Sequence, residues 1–163
     1  IVEKYLEWAS QKPEPRATVL YDTMWHATEK MAVAIGDGLA DEGVDHKLIH
    51  MAVTDRNDAL VEVFKSGTVV IGSPTLNYGV LPSLAPLLED LRGLKFKNKL
   101  GAAFGSYGWS GESVKTIEDH FAKCKIPLIR EGIRCKWQPS SRDLEECRSF
   151  GRELGAQTRK LPV

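Results

Sequence analysis

Net charge is the first thing this sequence lacks. Twenty-two Lys and Arg residues stand against 22 Asp and Glu, a formal charge of zero, which leaves no basic footprint for nucleic acid. No apolar run approaches the ~18 residues that cross a membrane as a helix. Cysteine is scarce: Cys124, Cys135 and Cys147 are odd in number and form no CxxC pair for metal or redox work. They read as reduced thiols, and the expected location is cytoplasmic. A start methionine is missing too. The chain opens on Ile1, and a fragment of a longer chain is expected rather than a processed start. Finally, the stretch YDTMWHAT, residues 21–28, has no glycine, lysine or arginine, although it joins an apolar run to a helical pattern.

What is present alternates between two periods. A short helix is expected over 1–9, then a linker, SQKPEPR, where Pro13 and Pro15 forbid helix. The strands expected are 17–22, 44–51, 68–73, 99–106 and 126–137. The helices between them are 26–42, 56–65, 81–91 and 112–124, with a last one over 141–158. Met31, Ala34, Ile35 and Leu39 repeat at helical spacing in the first long helix. Strands alternating with helices predict right-handed parallel crossovers and a doubly wound α/β sheet. The first, third and fourth strands lack polar alternation and belong at the centre. The order 2-1-3-4-5 satisfies this, and it puts a ligand crevice outside the carboxyl ends of strands 1, 3 and 4.

Three loops reach that edge. In the first, Thr23 and Thr28 bracket a helix start whose N–H groups of residues 24–28 (Met24, Trp25, His26, Ala27, Thr28) can hold a phosphate without any cation. Simple helix capping by either threonine is the alternative. The second, GSPTLNYGVLP (72–82), carries Pro74, Thr75, Leu76, Asn77 and Tyr78 in a turn-rich segment. Its large apolar groups either cover a flat ligand or pack on a neighbour. The third, FGSYGWSGES (104–113), offers Ser106, Tyr107, Gly108, Trp109, Ser110 and Gly111. Aromatics between glycines suit stacking on a planar ring; Ser110 or Ser113 as a helix cap is the competing reading. An aromatic ring with a phosphate tail, such as flavin mononucleotide (FMN), is what three such loops would share.

The motifs Tyr21-Asp22-Thr23-Met24-Trp25 with Thr28-Glu29-Lys30-Met31-Ala32, Gly72-Ser73-Pro74-Thr75-Leu76-Asn77 and Gly105-Ser106-Tyr107-Gly108-Trp109 occur in that order. In this the chain resembles the flavodoxin-like domain of the flavodiiron proteins (A-type flavoproteins) from about residue 17 to 158. The resemblance implies a three-layer α/β/α sandwich with a five-stranded parallel sheet, FMN as cofactor, and a division into 1–16 and 17–163. Residues 1–16, with Tyr5-Leu6-Glu7-Trp8, would end a metallo-β-lactamase-like domain and link it to the flavodoxin-like one. It further implies a homodimeric full-length protein that reduces O2, NO or both at a diiron centre outside this chain. FMN would relay electrons from rubredoxin or another reductase to that centre in the neighbouring subunit.

Against the flavodoxin phosphate loop T-x-T-G-x-T, Thr23 and Thr28 keep the outer threonines. Trp25 replaces the inner one, as in flavodiiron-type loops, and His26 replaces the glycine. His26 is either a phosphate contact or a solvated rim residue. His26, His46, His50 and His120 lack the clustered spacing of a two-iron centre; His46 and His50 fall ~13 Å apart on a strand. Trp109, with Tyr78, Leu76 or Trp25, would cover the ring faces. Two other readings share the fold: a flavin-dependent NAD(P)H:quinone reductase, and a cofactor-free receiver or interaction domain. The last lacks an acidic cluster, since Asp22 stands alone and strand three ends in Gly72-Ser73.

Overall fold

The computed structural model describes residues 2–162. Ile1 and Val163 lie outside the described residues, and with them the first position of the expected helix 1–9 and the last of the expected domain 17–163. The elements run α1 (Val2–Ser10), β1 (Glu14–Tyr21), α2 (Ala27–Asp41), β2 (His46–His50), α3 (Arg56–Lys65), β3 (Ser66–Gly72), α4 (Ala85–Leu94), β4 (Leu100–Tyr107), α5 (Glu112–Lys123), β5 (Ile133–Lys136) and α6 (Ser141–Thr158). The five strands form one parallel sheet in the order β2-β1-β3-β4-β5, as the hydrophobic patterning predicts.

Strand alternation sorts the core into two layers. Val19 and Tyr21 of β1 join Met31, Ile35, Leu39, Phe150 and Leu154 beneath α2 and α6. Leu20 faces the other way, with Ile71, Leu87, Ile117 and Phe121 beneath α3, α4 and α5. Every residue of β3 is buried, whereas the edge strand β5 alternates buried and exposed positions and the edge strand β2 buries only Ile49. On one face, α2 and α6 cross closely through facing glycines. A Cβ on Gly38 would stand 2.1 Å from the Arg148 carbonyl oxygen, and one on Gly151 2.1 Å from that of Ile35. Any larger residue forces the two helices apart. The start of α6 is fixed by a capping box: Ser140 Oγ accepts the Asp143 N–H, and Asp143 Oδ2 accepts the Ser140 N–H at 2.8 Å.

Three elements start more than two residues from where the sequence suggests. β1 begins at Glu14, inside the expected linker, because Pro15 falls in a register irregularity between Glu14 and Ala17 where its missing N–H breaks no regular ladder. α4 begins at Ala85 rather than 81: the Leu81 N–H is given to Ser73 Oγ at 3.0 Å, so the stretch around Pro82 belongs to the preceding loop. The strand expected over 126–137 is reduced to Ile133–Lys136. Upstream, only a bridge between Gly101 and Leu128 touches the sheet, and the Gly132 N–H turns to Glu118 Oε1.

The three thiols pack. Burial pushes Cys147 up to about 12 and Cys135 to about 11, and it raises Cys124 as well. All three are free.

Candidate functional site

The loop after β1 is shaped by one left-handed residue. His26 sits at φ 59°, ψ 6° as the N-cap of α2 and makes no side-chain cap bond to the helix. It occupies the place where the flavodoxin pattern has glycine, and it adopts the backbone that glycine usually supplies. The first helical bond returned to this cap runs from the Lys30 N–H to the His26 carbonyl at 3.1 Å. The N–H groups of residues 27–29 are thereby left without an intrahelical acceptor, at the positive end of the helix dipole. Beside them, the Thr23 hydroxyl oxygen is buried with no hydrogen-bond partner. A buried hydroxyl left unpaired costs ~1–3 kcal/mol, and an anion at the helix start would satisfy it. The His26 side chain is turned outward onto Glu29, Nδ1 to Oε2 2.6 Å.

Thr28 does something other than cap. It is fully buried, and its Oγ1 lies 2.9 Å from Ser106 Oγ. That bond pins the start of α2 to the end of β4. Below the loop, Asp22 Oδ1 accepts the Thr23 N–H at 2.7 Å and lies 3.0 Å from His50 Nε2, while Oδ2 accepts the Ser83 hydroxyl.

The loops after β3 and β4 are tied together. The Thr75 N–H donates to the Ser106 carbonyl at 2.8 Å, the Thr75 hydroxyl to Ser113 Oγ at 3.0 Å, and the Ser113 hydroxyl to the Ser73 carbonyl at 3.0 Å. A Cβ on Gly105 would stand 2.4 Å from that Ser73 carbonyl oxygen, so this suture depends on glycine. Leu76 and Gly79 exchange both backbone bonds across Asn77 (φ 49°) and Tyr78 (φ 61°). These are the two positive φ values of a type I′ hairpin.

Together the loops enclose a cavity of about 420 Å³. Of the residues singled out in the sequence, Met24, Trp25, Ala27, Pro74, Thr75, Leu76, Ser106, Tyr107, Gly108 and Trp109 line it. Trp25 and Trp109 are 79% and 83% exposed, flat groups left largely uncovered by the described residues. The remainder lie around it. Thr23 and Thr28 are in the polar loop, and His26 lines a separate groove between α2 and α6. Asn77 and Tyr78 form the hairpin tip, where Tyr78 is 76% exposed. Ser110 and Gly111 lead into α5, with Gly111 as its N-cap and Ser110 making no cap bond.

A fourth loop completes the cavity. Trp137 and Gln138, after β5, also line it. Trp137 adopts φ 61°, and its N–H donates to the Tyr107 carbonyl at 2.8 Å. Gln138 Nε2 donates to the Trp25 carbonyl at 2.7 Å and its Oε1 accepts from Lys30 Nζ at 2.9 Å. Sequence reasoning ran strand five through Trp137 and so overlooked this loop. The available signal was an aromatic at the carboxyl end of a strand adjoining β4, where the strand order brings one more loop to the same edge.

Comparison with known proteins agrees with this geometry. The flavodoxin family profile matches residues 19–151. A nitric oxide reductase of Moorella thermoacetica is 45% identical over 158 residues, 96% of this chain and 40% of that protein. Among solved structures, the rubredoxin oxygen:oxidoreductase of Desulfovibrio gigas superposes with a TM-score of 0.93 at 35% identity, covering 97% of this chain and 39% of that one. The flavodiiron protein of Giardia intestinalis gives 0.92 at 33% identity, with 97% and 40% covered. The chain thus spans about two fifths of the length of these relatives. It belongs to the flavodoxin family and corresponds to the flavodoxin-like part of the flavodiiron proteins.

Proposed function

We propose that this chain is the FMN-binding electron-transfer module of a flavodiiron oxidoreductase. It relays electrons from rubredoxin or another reductase to a diiron site outside the chain that reduces O2, NO or both. The observation that carries the reading is the buried, unpartnered Thr23 hydroxyl, in the loop that leads to the free N–H groups of a helix start, the same loop whose Met24, Trp25 and Ala27 line a cavity walled by exposed tryptophans. A phosphate with an attached aromatic ring fits both halves.

In this reading Thr23 and the N–H groups of residues 24–28 hold the phosphate. Thr28 keeps the helix start in place by its bond to Ser106, and the sutured loops 73–79 and 105–113 present backbone donors and acceptors to the ring's polar edge. Trp109, Trp25 and Leu76 cover its faces and exclude water, with Trp137 closing the fourth side. FMN supplies reversible one- and two-electron transfer. The chain tunes it, because apolar walls disfavour added negative charge on the ring. The division of the parent protein falls within residues 1–16, which lead into the flavodoxin-like domain from the diiron-bearing part. Assembly is as a homodimer in which each flavin serves the neighbouring subunit's diiron site, and the location is cytoplasmic. Relatives named for nitric oxide and for oxygen support both acceptors.

The visible spectrum of the purified protein tests this. Paired flavin bands that bleach on reduction by reduced rubredoxin are expected. A colourless protein that takes up no FMN would return the chain to the interaction-domain reading, and rapid NADH oxidation with quinone would move it to the quinone reductases.

A further inference from the structure

The polar loop that receives the phosphate has no Lys or Arg of its own, yet two carboxylates flank it. Asp22 precedes Thr23, and Glu29 lies in the first turn of α2. Each is held by a histidine: Asp22 Oδ1 lies 3.0 Å from His50 Nε2, and Glu29 Oε2 lies 2.6 Å from His26 Nδ1. Tyr21 joins the two pairs, its ring stacked on His50 at 5.2 Å and 7° and its hydroxyl donating to Glu29 Oε1. Of the two pairs, the buried one matters more. The Asp22 side chain is 7% exposed and that of His50 29%, whereas the His26 side chain is 75% exposed and screened by solvent.

Resting on the FMN reading above, we propose that His50 is the cationic component of the phosphate site: it takes up a proton when the phosphate binds and so offsets the Asp22 carboxylate beneath it. Asp22, already receiving the Thr23 N–H and the Ser83 hydroxyl, is an acceptor-only anion, so His50 Nε2 carries the proton between them. Nδ1 has no partner among the described residues and is the position that takes the second proton from solvent. A dianionic phosphate brought to Thr23 comes close to the Asp22 carboxylate that accepts the Thr23 N–H. A protonated His50, 3.0 Å from that carboxylate, cancels its charge. The titratable and charged groups around His50 are Tyr21 and Asp22 at the end of β1 and Glu29 of α2 with its partner His26. Lys30 is engaged with Gln138. His50 is therefore a positioning residue: it acts on the phosphate through Asp22 and the Thr23 N–H.

Linkage fixes the sign. Bound phosphate holds the second proton more tightly, so the added affinity is present on the acid side and fades as pH rises through the titration of the complex. Riboflavin, which has the ring without the phosphate, lacks the effect. The test is fluorescence titration of the apo-chain with FMN and with riboflavin between pH 7 and 9, where the phosphate is already dianionic. FMN affinity should fall on the order of tenfold relative to riboflavin across that window, and His50→Gln should abolish the difference in slope while His26→Gln leaves it. Calorimetry of the unaltered protein in buffers of different ionisation enthalpy should show proton uptake with FMN and none with riboflavin, so the result does not depend on a variant folding. Parallel pH profiles for the two flavins, or a slope retained in His50→Gln, would overturn the inference and leave FMN binding intact. Failure to bind either flavin would overturn the functional reading with it.

Discussion

The two ends of the sheet are opposites. At the carboxyl end, three tryptophans line a cavity of about 420 Å³ that no Lys or Arg lines, next to a loop with a buried orphan hydroxyl at Thr23. At the amino end, Arg92, Lys95, Lys97, Lys99, Lys123 and Lys125 ring a larger hollow of about 830 Å³. Charge and size alone would favour the amino end as an anion site; the proposed reading places it at the other end. Six cations around an open hollow are mostly solvated and screened beyond ~8–10 Å. A helix start with unspent N–H groups needs no cation, since its donors are fixed in position by the fold. On the proposed reading the phosphate is held by backbone geometry, not by lysines.

Lys99 offers the largest way to break the comparison. It is the one buried lysine, 4% exposed, and its Nζ donates to the Phe64 and Ser66 carbonyls at 2.6 Å each. Burial lowers it to about 8. Between pH 8 and 10.5 the unfolded chain binds more protons at this residue than the folded one, so stability rises with pH across that window. A gain of about 3 kcal/mol is the upper bound. Lys99→Met should remove that slope in denaturant melts taken from pH 7.5 to 10; an identical slope in the variant would mean the ammonium is not desolvated. The variant should also leave FMN affinity at the other end unchanged.

At the carboxyl end, Trp109→Ala should weaken FMN by about 1–2 kcal/mol, roughly five- to thirtyfold, through lost stacking. It should also raise the flavin's midpoint potential by admitting water to the ring. Titration and spectroelectrochemistry read these separately, and no change in either would remove Trp109 from the ring face. Thr23→Ala should cost about 1 kcal/mol of FMN affinity and nothing for riboflavin, because only the phosphate uses that hydroxyl. Equal losses for both flavins would place Thr23 in the frame of the loop instead. The smallest effect sharpens the contrast: replacing Lys95, Lys97, Lys123 and Lys125 together by Gln should change FMN affinity less than about twofold. A tenfold loss would mean the amino end steers the ligand after all.

Most of the architecture was legible because it rests on local periods. The buried run of β3 and the helical spacing of Met31, Ala34, Ile35 and Leu39 carry their own signal, and strand order followed from which strands lacked polar positions. Boundaries were lost where a distant partner decided them. Ser73 Oγ claims the Leu81 N–H and delays α4, and Glu118 takes the Gly132 N–H at the start of β5. The candidate site divides the same way. The three loops could be named from composition, but Trp137 could not be assigned to them, since its link to Tyr107 spans 30 positions of chain.

What the sequence determined alone was the alternation of periods 2 and 3.6, and from it a doubly wound sheet with turn-rich loops at one edge. Only the tertiary structure decided that His26 takes a left-handed backbone, that Thr28 turns inward to Ser106, and that Asp22 and His50 meet beneath the helix start. Periodicity is a property of neighbours along the chain. These three outcomes depend on groups 28 to 78 positions apart, or on a cap geometry the surrounding fold imposes.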